Sequence, residues 1–355
     1  MGKLNIEMLI LAREARGFSQ EELAARMDIS QGTLSKIENG ILEDINEYLP
    51  KICETLHFPE TFFFQEERRF EIGTHFYRKR LSIPKKELAQ AKAIIDILKI
   101  NIDKLLLSID VPEENLPKWD VNEDGEPSLY ANFLREKWRI PRGRIDNLTT
   151  IIENNGIVVI HVDFGDIKLD GLSIYTKTNQ AIIFLNKLLP GDRIRFTLAH
   201  ELGHLGMHFS QKVSLDRDVE KEAMEFASEL LIPTKEILPY LTKLNLDKLA
   251  ELKRYWRVSM QAILFKAKVL NLVKDNTYRY LWTQFRALNY NNQEPLSIDI
   301  PVEKPSLVKE IIDAFLNDLN YSKSDLAKLL SLDLSDLEDF YFESRIKFKV
   351  IKMNQ

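Results

Sequence analysis

"RFTLAHELGHLGMHF", Arg195 to Phe209, places three of the chain's six histidines within nine residues, with Glu201 beside the first of them. On an α-helix, residues four apart lie one above the other on a single face. His200 and His204 can therefore share an ion about 2 Å from each imidazole nitrogen. Glu201 stands one residue on, off the line joining the ligands but within reach of a water between them. This is the H-E-x-x-H pattern, in which the glutamate is the general base. A zinc ion lowers the pKa of its water toward ~7, and Glu201 takes the proton as a peptide carbonyl is attacked. The apolar frame of Phe196, Leu198, Ala199, Leu202 and Leu205 predicts a helix packed into a core. Gly203 costs a helix roughly 1 kcal/mol relative to Ala and is read as leaving space beside the ligands.

A catalytic zinc takes a third protein ligand and leaves one position open. "DVEKEAMEFASELL" (218–231) offers candidates on a second helix. Glu220 shares a face with Ala223, Ala227 and Leu231, residues suited to packing on the histidine helix, and is the first choice. Glu222 stacks with Phe226 but also with Glu225 and Glu229, and is the second; Glu225 lies on a polar stripe. His208, a turn beyond His204, cannot reach the same ion and is expected to support the site. His161 reads as a strand histidine of the core or edge, and His57 and His75 carry no case. Zinc is the expected ion, with manganese or another divalent cation as the alternative.

Around this motif the fold class reads as α+β and predominantly helical. "GIVVIHV", "GLSIYT" and "AIIFLN", rich in β-branched and aromatic residues, precede the histidine helix and predict a small sheet. Residues 85–109 carry Leu88, Ala91, Ile95, Leu98, Ile102 and Leu105 at helical spacing, and 234–275 and 306–340 are also read as helical. The acidic, proline-bearing run "DVPEENLPKWDVNEDGEP" marks a boundary. The expected organisation is 1–66 as an all-α N-terminal domain, 67–128 as a basic helical linker, 129–275 as a zincin-like domain, and 276–355 as a helical C-terminal module.

The N-terminal stretch "FSQEELAARMDISQGTLSKIENG" (18–40) has a helix-turn-helix layout. Ser19 and Glu22 form a capping box, Leu23, Ala24 and Met27 face inward, Asp28-Ile29 turn the chain, and Ser30 starts a second helix that Asn39-Gly40 close. Gln31, Thr33 and Lys36 occupy the start of that helix, which enters the major groove of double-stranded DNA in such motifs. Residues 1–50 hold five Lys/Arg and nine Asp/Glu, whereas 68–104 hold ten and four. Phosphate attraction dominates affinity, so Arg78, Lys79, Arg80, Lys85 and Lys86 are expected to supply backbone contacts. Residues 18–34 also align without gaps to 321–337, pairing Leu23/Leu326, Ala24/Ala327, Met27/Leu330, Ile29/Leu332 and Leu34/Leu337. In the second copy Asp333, Ser335, Asp336, Glu338 and Asp339 replace the recognition face, which suits a packing or partner module rather than DNA.

Two resemblances follow from these residues. "GDRIRFTLAHELGHLGMHF" (191–209) with "VEKEAMEFASELLIP" (219–233) resembles the ImmA/IrrE family of metallopeptidases over about residues 130–270. The resemblance implies His200, His204 and Glu220 as metal ligands and Glu201 as the catalytic base. Met224 stands where the family often has Asn. Residues 4–60 or so resemble the XRE/Cro class of DNA-binding domains. Members of the ImmA/IrrE family cleave, or are thought to cleave, a partner transcriptional repressor, which implies a protein substrate here.

Composition sets the remaining bounds. At 355 residues, 45% hydrophobic and 29% charged, the chain suits two or three globular domains. Its single cysteine, Cys53, excludes an internal disulfide framework and fits a cytoplasmic protein. Glu7, Arg13 and Glu14 interrupt the short apolar N-terminal run, so no signal or membrane segment is expected, and no membrane partner. The function read from the sequence is a DNA-binding regulator with a zinc endopeptidase domain that cuts a regulatory protein, a repressor or a toxin, in stress or phage response. The alternative is a repressor or antitoxin-like regulator whose peptidase fold senses or binds without turnover. A homodimer is expected from the paired half-sites that helix-turn-helix proteins read.

Overall fold

The computed structural model describes residues 4–42, 45–66, 84–165, 167–209, 217–291 and 293–342. These fall into two compact units, Met1–Asp110 with Leu307–Gln355, and Val111–Ser306. Among the described residues no helix is long and apolar enough to cross a membrane.

The first unit opens with α1 (Ile6–Ala15), α2 (Gln20–Arg26), α3 (Gln31–Glu38) and α4 (Leu49–Leu56). Their starts follow from capping chemistry. Ser19 Oγ accepts from the Glu22 amide at 3.1 Å while the Glu22 carboxylate accepts from the Ser19 amide at 2.6 Å. Ser30 Oγ accepts from the Thr33 amide at 3.0 Å and begins α3. Between them Asp28 takes φ +53°, the left-handed turn that sets the two helices across one another. Leu23, Ala24, Met27, Leu34 and Ile37 are buried, as are Met8, Leu9 and Ala12 of α1, and α3 packs on both α1 and α2. The buried Arg13 guanidinium donates to both oxygens of Glu38, at 2.6 and 3.2 Å, tying α1 to α3. A long helix, α5 (Lys85–Leu105), packs along α1 through the apolar frame the spacing predicts.

In the second unit α6 (Pro127–Lys137) and α7 (Leu148–Asn154) lead into β1 (Val158–Val162), β2 (Gly171–Tyr175) and β3 (Ala181–Asn186). The sheet order is β1-β3-β2, with β1 parallel and β2 antiparallel to the central β3. α8 (Gly191–Met207), the histidine helix, lies on β2 and β3 and packs most extensively against α9 (Val219–Leu231). Val159, Ala181, Ile183 and Leu185 on the sheet meet Ile194, Leu198, Leu202 and Leu205 of α8 in one core, which α10 (Thr234–Ile237), α11 (Leu246–Trp256), α12 (Met260–Val269) and α13 (Asp275–Ala287) complete. The run 293–305 is built into this unit. Glu303 accepts from the buried Arg195 of α8 and from the Thr149 amide, and Glu294 accepts from the buried Lys253 at 2.8 Å. Lys253 also reaches Asp192 at 2.7 Å, so the start of α8 is clamped. Residues 276–306, expected with the C-terminal module, thus contribute Leu281, Phe285 and Ile298 to the second unit's core.

The chain returns to the first unit as α14 (Leu307–Asn317), α15 (Lys323–Leu330) and α16 (Leu334–Tyr341). The frame read as an internal repeat recurs here in three dimensions. Ser322 and Asp325 form a capping box as Ser19 and Glu22 do, and Ser331 takes φ +56° at the position matching Asp28. Leu326, Ala327, Leu330, Leu332 and Leu337 are all buried. Asp336 of α16 accepts from Arg16 in a two-point pair at 2.9 and 2.6 Å. The acid that disfavours DNA at this position is used to dock α16 beside the first helix.

Candidate metal centre

The apolar stripe of α8 faces the sheet and α9, which leaves His200 and His204 on an adjoining, narrowly open face. Their side chains are 10% and 11% exposed. The Nε2 atoms converge at 3.0 Å, and Glu220, in the first turn of α9, brings Oε2 to 3.3 Å from His200 Nε2 and Oε1 to 3.6 Å from His204 Nε2. An ion with bonds of 2.0–2.2 Å in a tetrahedral site has ligand atoms about 3.4 Å apart. The donor set of two imidazoles and a carboxylate therefore fits such an ion, and it is the only metal-competent group of three His, Cys, Asp or Glu side chains among the described residues. Glu220 comes to this spot because Ala223, Ala227 and Leu231 on its face are buried, as the spacing predicts.

Glu201, next in sequence to His200, is anchored to the sheet. Its Oε2 accepts from Ser173 Oγ of β2 at 2.9 Å, with both residues buried. Ser173 was not found by reading the sequence. Its only signal is a hydroxyl at an inward position of the otherwise apolar run "GLSIY", where a buried polar group needs a partner.

Gly203 does not leave room beside the ligands. A Cβ there would lie 2.8 Å from Phe226 Cδ1 and 3.5 Å from the Ala223 Cα, so the glycine lets α9 approach α8. Gly206 serves the same end against α6, where a Cβ would overlap the Tyr130 ring.

His208 caps α8 and is buried. Its Nδ1 meets His204 Nδ1 at 2.8 Å and its Nε2 meets Glu222 Oε2 at 2.9 Å, and Arg217 donates to both oxygens of Glu222 at 2.9 and 2.5 Å. Burial raises the Glu222 pKa, but Arg217 and His208 outweigh it and leave the carboxyl below its ordinary value. Glu222 thus engages His208 and Arg217 while Glu220 faces the motif histidines. His161 lies on β1, where burial lowers it to about 4; its Nε2 has no hydrogen-bond partner among the described residues. His57 is the exposed, left-handed cap of α4, and His75 lies outside the described residues.

On the helix-turn-helix, Gln31 and Lys36 are exposed on α3 and Thr33 is half-buried. Gln31 Nε2 donates to Gln20 Oε1 at 3.0 Å, and the Thr33 hydroxyl pairs with that of Ser30 at 2.8 Å. Of the basic residues expected to contact phosphate, Lys85 is exposed, whereas Lys86 Nζ is held by both Glu22 oxygens at 2.9 and 2.7 Å. Arg78, Lys79 and Arg80 lie outside the described residues.

Comparison with known families agrees with this division. The helix-turn-helix family model matches residues 9–46, and that of the IrrE N-terminal-like domain, a peptidase family, matches residues 152–268. A comparison with curated proteins returns no match. The first match covers α1 to α3, and the second runs from α7 across the sheet, the histidine helix and α9 to α12. The chain carries an XRE-type helix-turn-helix DNA-binding domain and, after it, an IrrE N-terminal-like domain of the metallopeptidase type.

Proposed function

We propose that the chain is a DNA-binding transcriptional regulator whose second unit is a zinc-dependent endopeptidase acting on a partner regulatory protein. The observation that carries this reading is the convergence of His200, His204 and Glu220 with Glu201 next in sequence and anchored by Ser173. The two histidines and Glu220 would hold the ion. A divalent ion bound there supplies Lewis acidity toward water and the scissile carbonyl. Glu201 accepts the proton from the attacking water and returns it to the leaving amine. Ser173 keeps one Glu201 oxygen fixed, so the other presents its lone pair in a constant direction. Among the described residues β2 pairs on one side only, with β3. An extended segment of the substrate docks along that open edge by strand addition, which places backbone rather than side chains in register with the site.

The helix-turn-helix directs this activity to an operator or to a DNA-bound repressor. Gln31 and Lys36 of α3 face the major groove, and Thr33 steadies the start of the helix.

The test is to compare proteins cut in cells by the wild type and by Glu201→Gln, with bound metal measured for both. The variant is expected to keep its metal and lose about 10²–10⁴-fold in hydrolysis. Identical cleavage patterns would reject the assignment of Glu201. A partner captured intact by both proteins would favour the non-cleaving, sensor-like regulator instead.

A further inference from the structure

The network behind His204 specifies more than proximity. A carboxylate only accepts hydrogen bonds, so His208 Nε2, 2.9 Å from Glu222 Oε2, carries the proton of that contact. A histidine that ligates through Nε2 keeps its one proton on Nδ1, so the reading of His204 as a ligand requires His208 to be the neutral imidazole, with one N–H. His208 Nδ1 is then an acceptor, and the partner 2.8 Å away, His204 Nδ1, is the donor. With its proton on Nδ1, His204 has a bare lone pair on Nε2. That is the nitrogen 3.0 Å from His200 Nε2 and 3.6 Å from Glu220 Oε1. The chain of contacts is shielded, with His208 2%, Arg217 10% and Glu222 15% exposed at their side chains. Arg217 fixes both Glu222 oxygens, so the carboxylate cannot rotate away without losing its own partner.

We propose that His208, held by Glu222 and Arg217, is a positioning residue that locks His204 in the Nδ1–H tautomer and aims its Nε2 at the metal position. The Glu222 that the sequence offers as an alternative ligand acts through two imidazoles instead of binding the ion. This deepens the reading of His200, His204 and Glu220 as a metal site and rests on it. A ligand with the wrong tautomer would present a proton, not a lone pair, to the ion. Hydrogen-bond partners of ligating histidines are worth 10–100-fold in metal affinity.

The full-length chain is tested as wild type, His208→Leu, His208→Asn and Glu222→Ala, after far-UV circular dichroism and melting establish that each is folded. Long-range ¹H–¹⁵N spectra of the metal-free proteins read the His204 tautomer, and competition with a chelator reads zinc affinity. The wild type is expected to show His204 with a protonated Nδ1 and a bare Nε2. His208→Leu and Glu222→Ala are expected to mix the tautomers and bind zinc about 10–100-fold more weakly. Asn at 208 can present Oδ1 near the position of the imidazole Nδ1, so His208→Asn should recover most of the affinity. Unchanged tautomer and affinity in His208→Leu and Glu222→Ala would overturn the positioning role while leaving the metal site in place. If the wild type bound no zinc, the metal reading itself would fail, and the metal-free spectra would still decide the tautomer.

Discussion

Gly203→Ala tests how the two ligand-bearing helices are held together. The new methyl would stand 2.8 Å from Phe226 Cδ1 and 3.3 Å from Cγ. Non-bonded carbons rest about 3.5–4.0 Å apart, so α8 and α9 must separate by roughly 0.7 Å or more. Phe226 cannot yield by itself, because it is fully buried and stacked on Tyr130 at 4.9 Å between centroids. Overpacking of this kind costs about 1–3 kcal/mol, against about 1 kcal/mol gained from alanine's helix propensity. Net destabilisation should therefore be modest, about 1 kcal/mol in urea unfolding. The larger effect falls on the metal. Glu220 rides on α9, and ligand distances tolerate only about ±0.2 Å, so zinc affinity should fall at least about tenfold with both histidines intact. Adding Phe226→Leu should restore much of that affinity, a coupling that a double-mutant cycle measures. A Gly203→Ala protein stabilised by the full propensity gain, with unaltered zinc binding, would refute the close-approach account and return Gly203 to a role beside the ligands.

Two further outcomes can be checked. Ser173→Ala removes the donor to Glu201 Oε2; hydrogen bonds to charged groups are worth about 1.5–3 kcal/mol, so turnover should fall roughly tenfold or more while metal content stays constant. His161 is held neutral by burial, its pKa lowered to about 4. The unfolded chain takes up that proton first as pH falls from about 6.5, so stability drains away between pH 6.5 and 4 and levels off below, by at most about 3 kcal/mol from this group. Paired urea titrations of the wild type and His161→Val should show the difference across that window; parallel pH profiles would mean the ring is solvated in the fold.

Features set by near neighbours along the chain were legible without coordinates. The four-residue spacing of His200 and His204, the capping box at Ser19 and Glu22, and the small-residue face that carries Glu220 all depend on the 3.6-residue helical period. The three β-branched runs became β1, β2 and β3 for a similar reason, since side chains alternate along a strand wherever it lies. Partners distant in sequence were not legible. Ser173 meets Glu201 only because β2 is laid antiparallel on β3 beneath α8, and Glu222 meets His208 only because α9 crosses α8 at Gly203. Likewise, nothing local in "NYNNQEPLSIDIPVEKP" announces that Glu294 and Glu303 answer a buried lysine and a buried arginine.

The sequence by itself put His200 and His204 on one helix face, offered Glu220 or Glu222 as a third candidate, and marked the helices of a DNA-reading head, because helix geometry repeats the same few spacings everywhere. Only the tertiary structure decided how His204 is oriented, what steadies Glu201, and why a glycine interrupts the motif. Those depend on hydrogen bonds and van der Waals contacts that act over 3–4 Å between segments the chain brings together only after it folds.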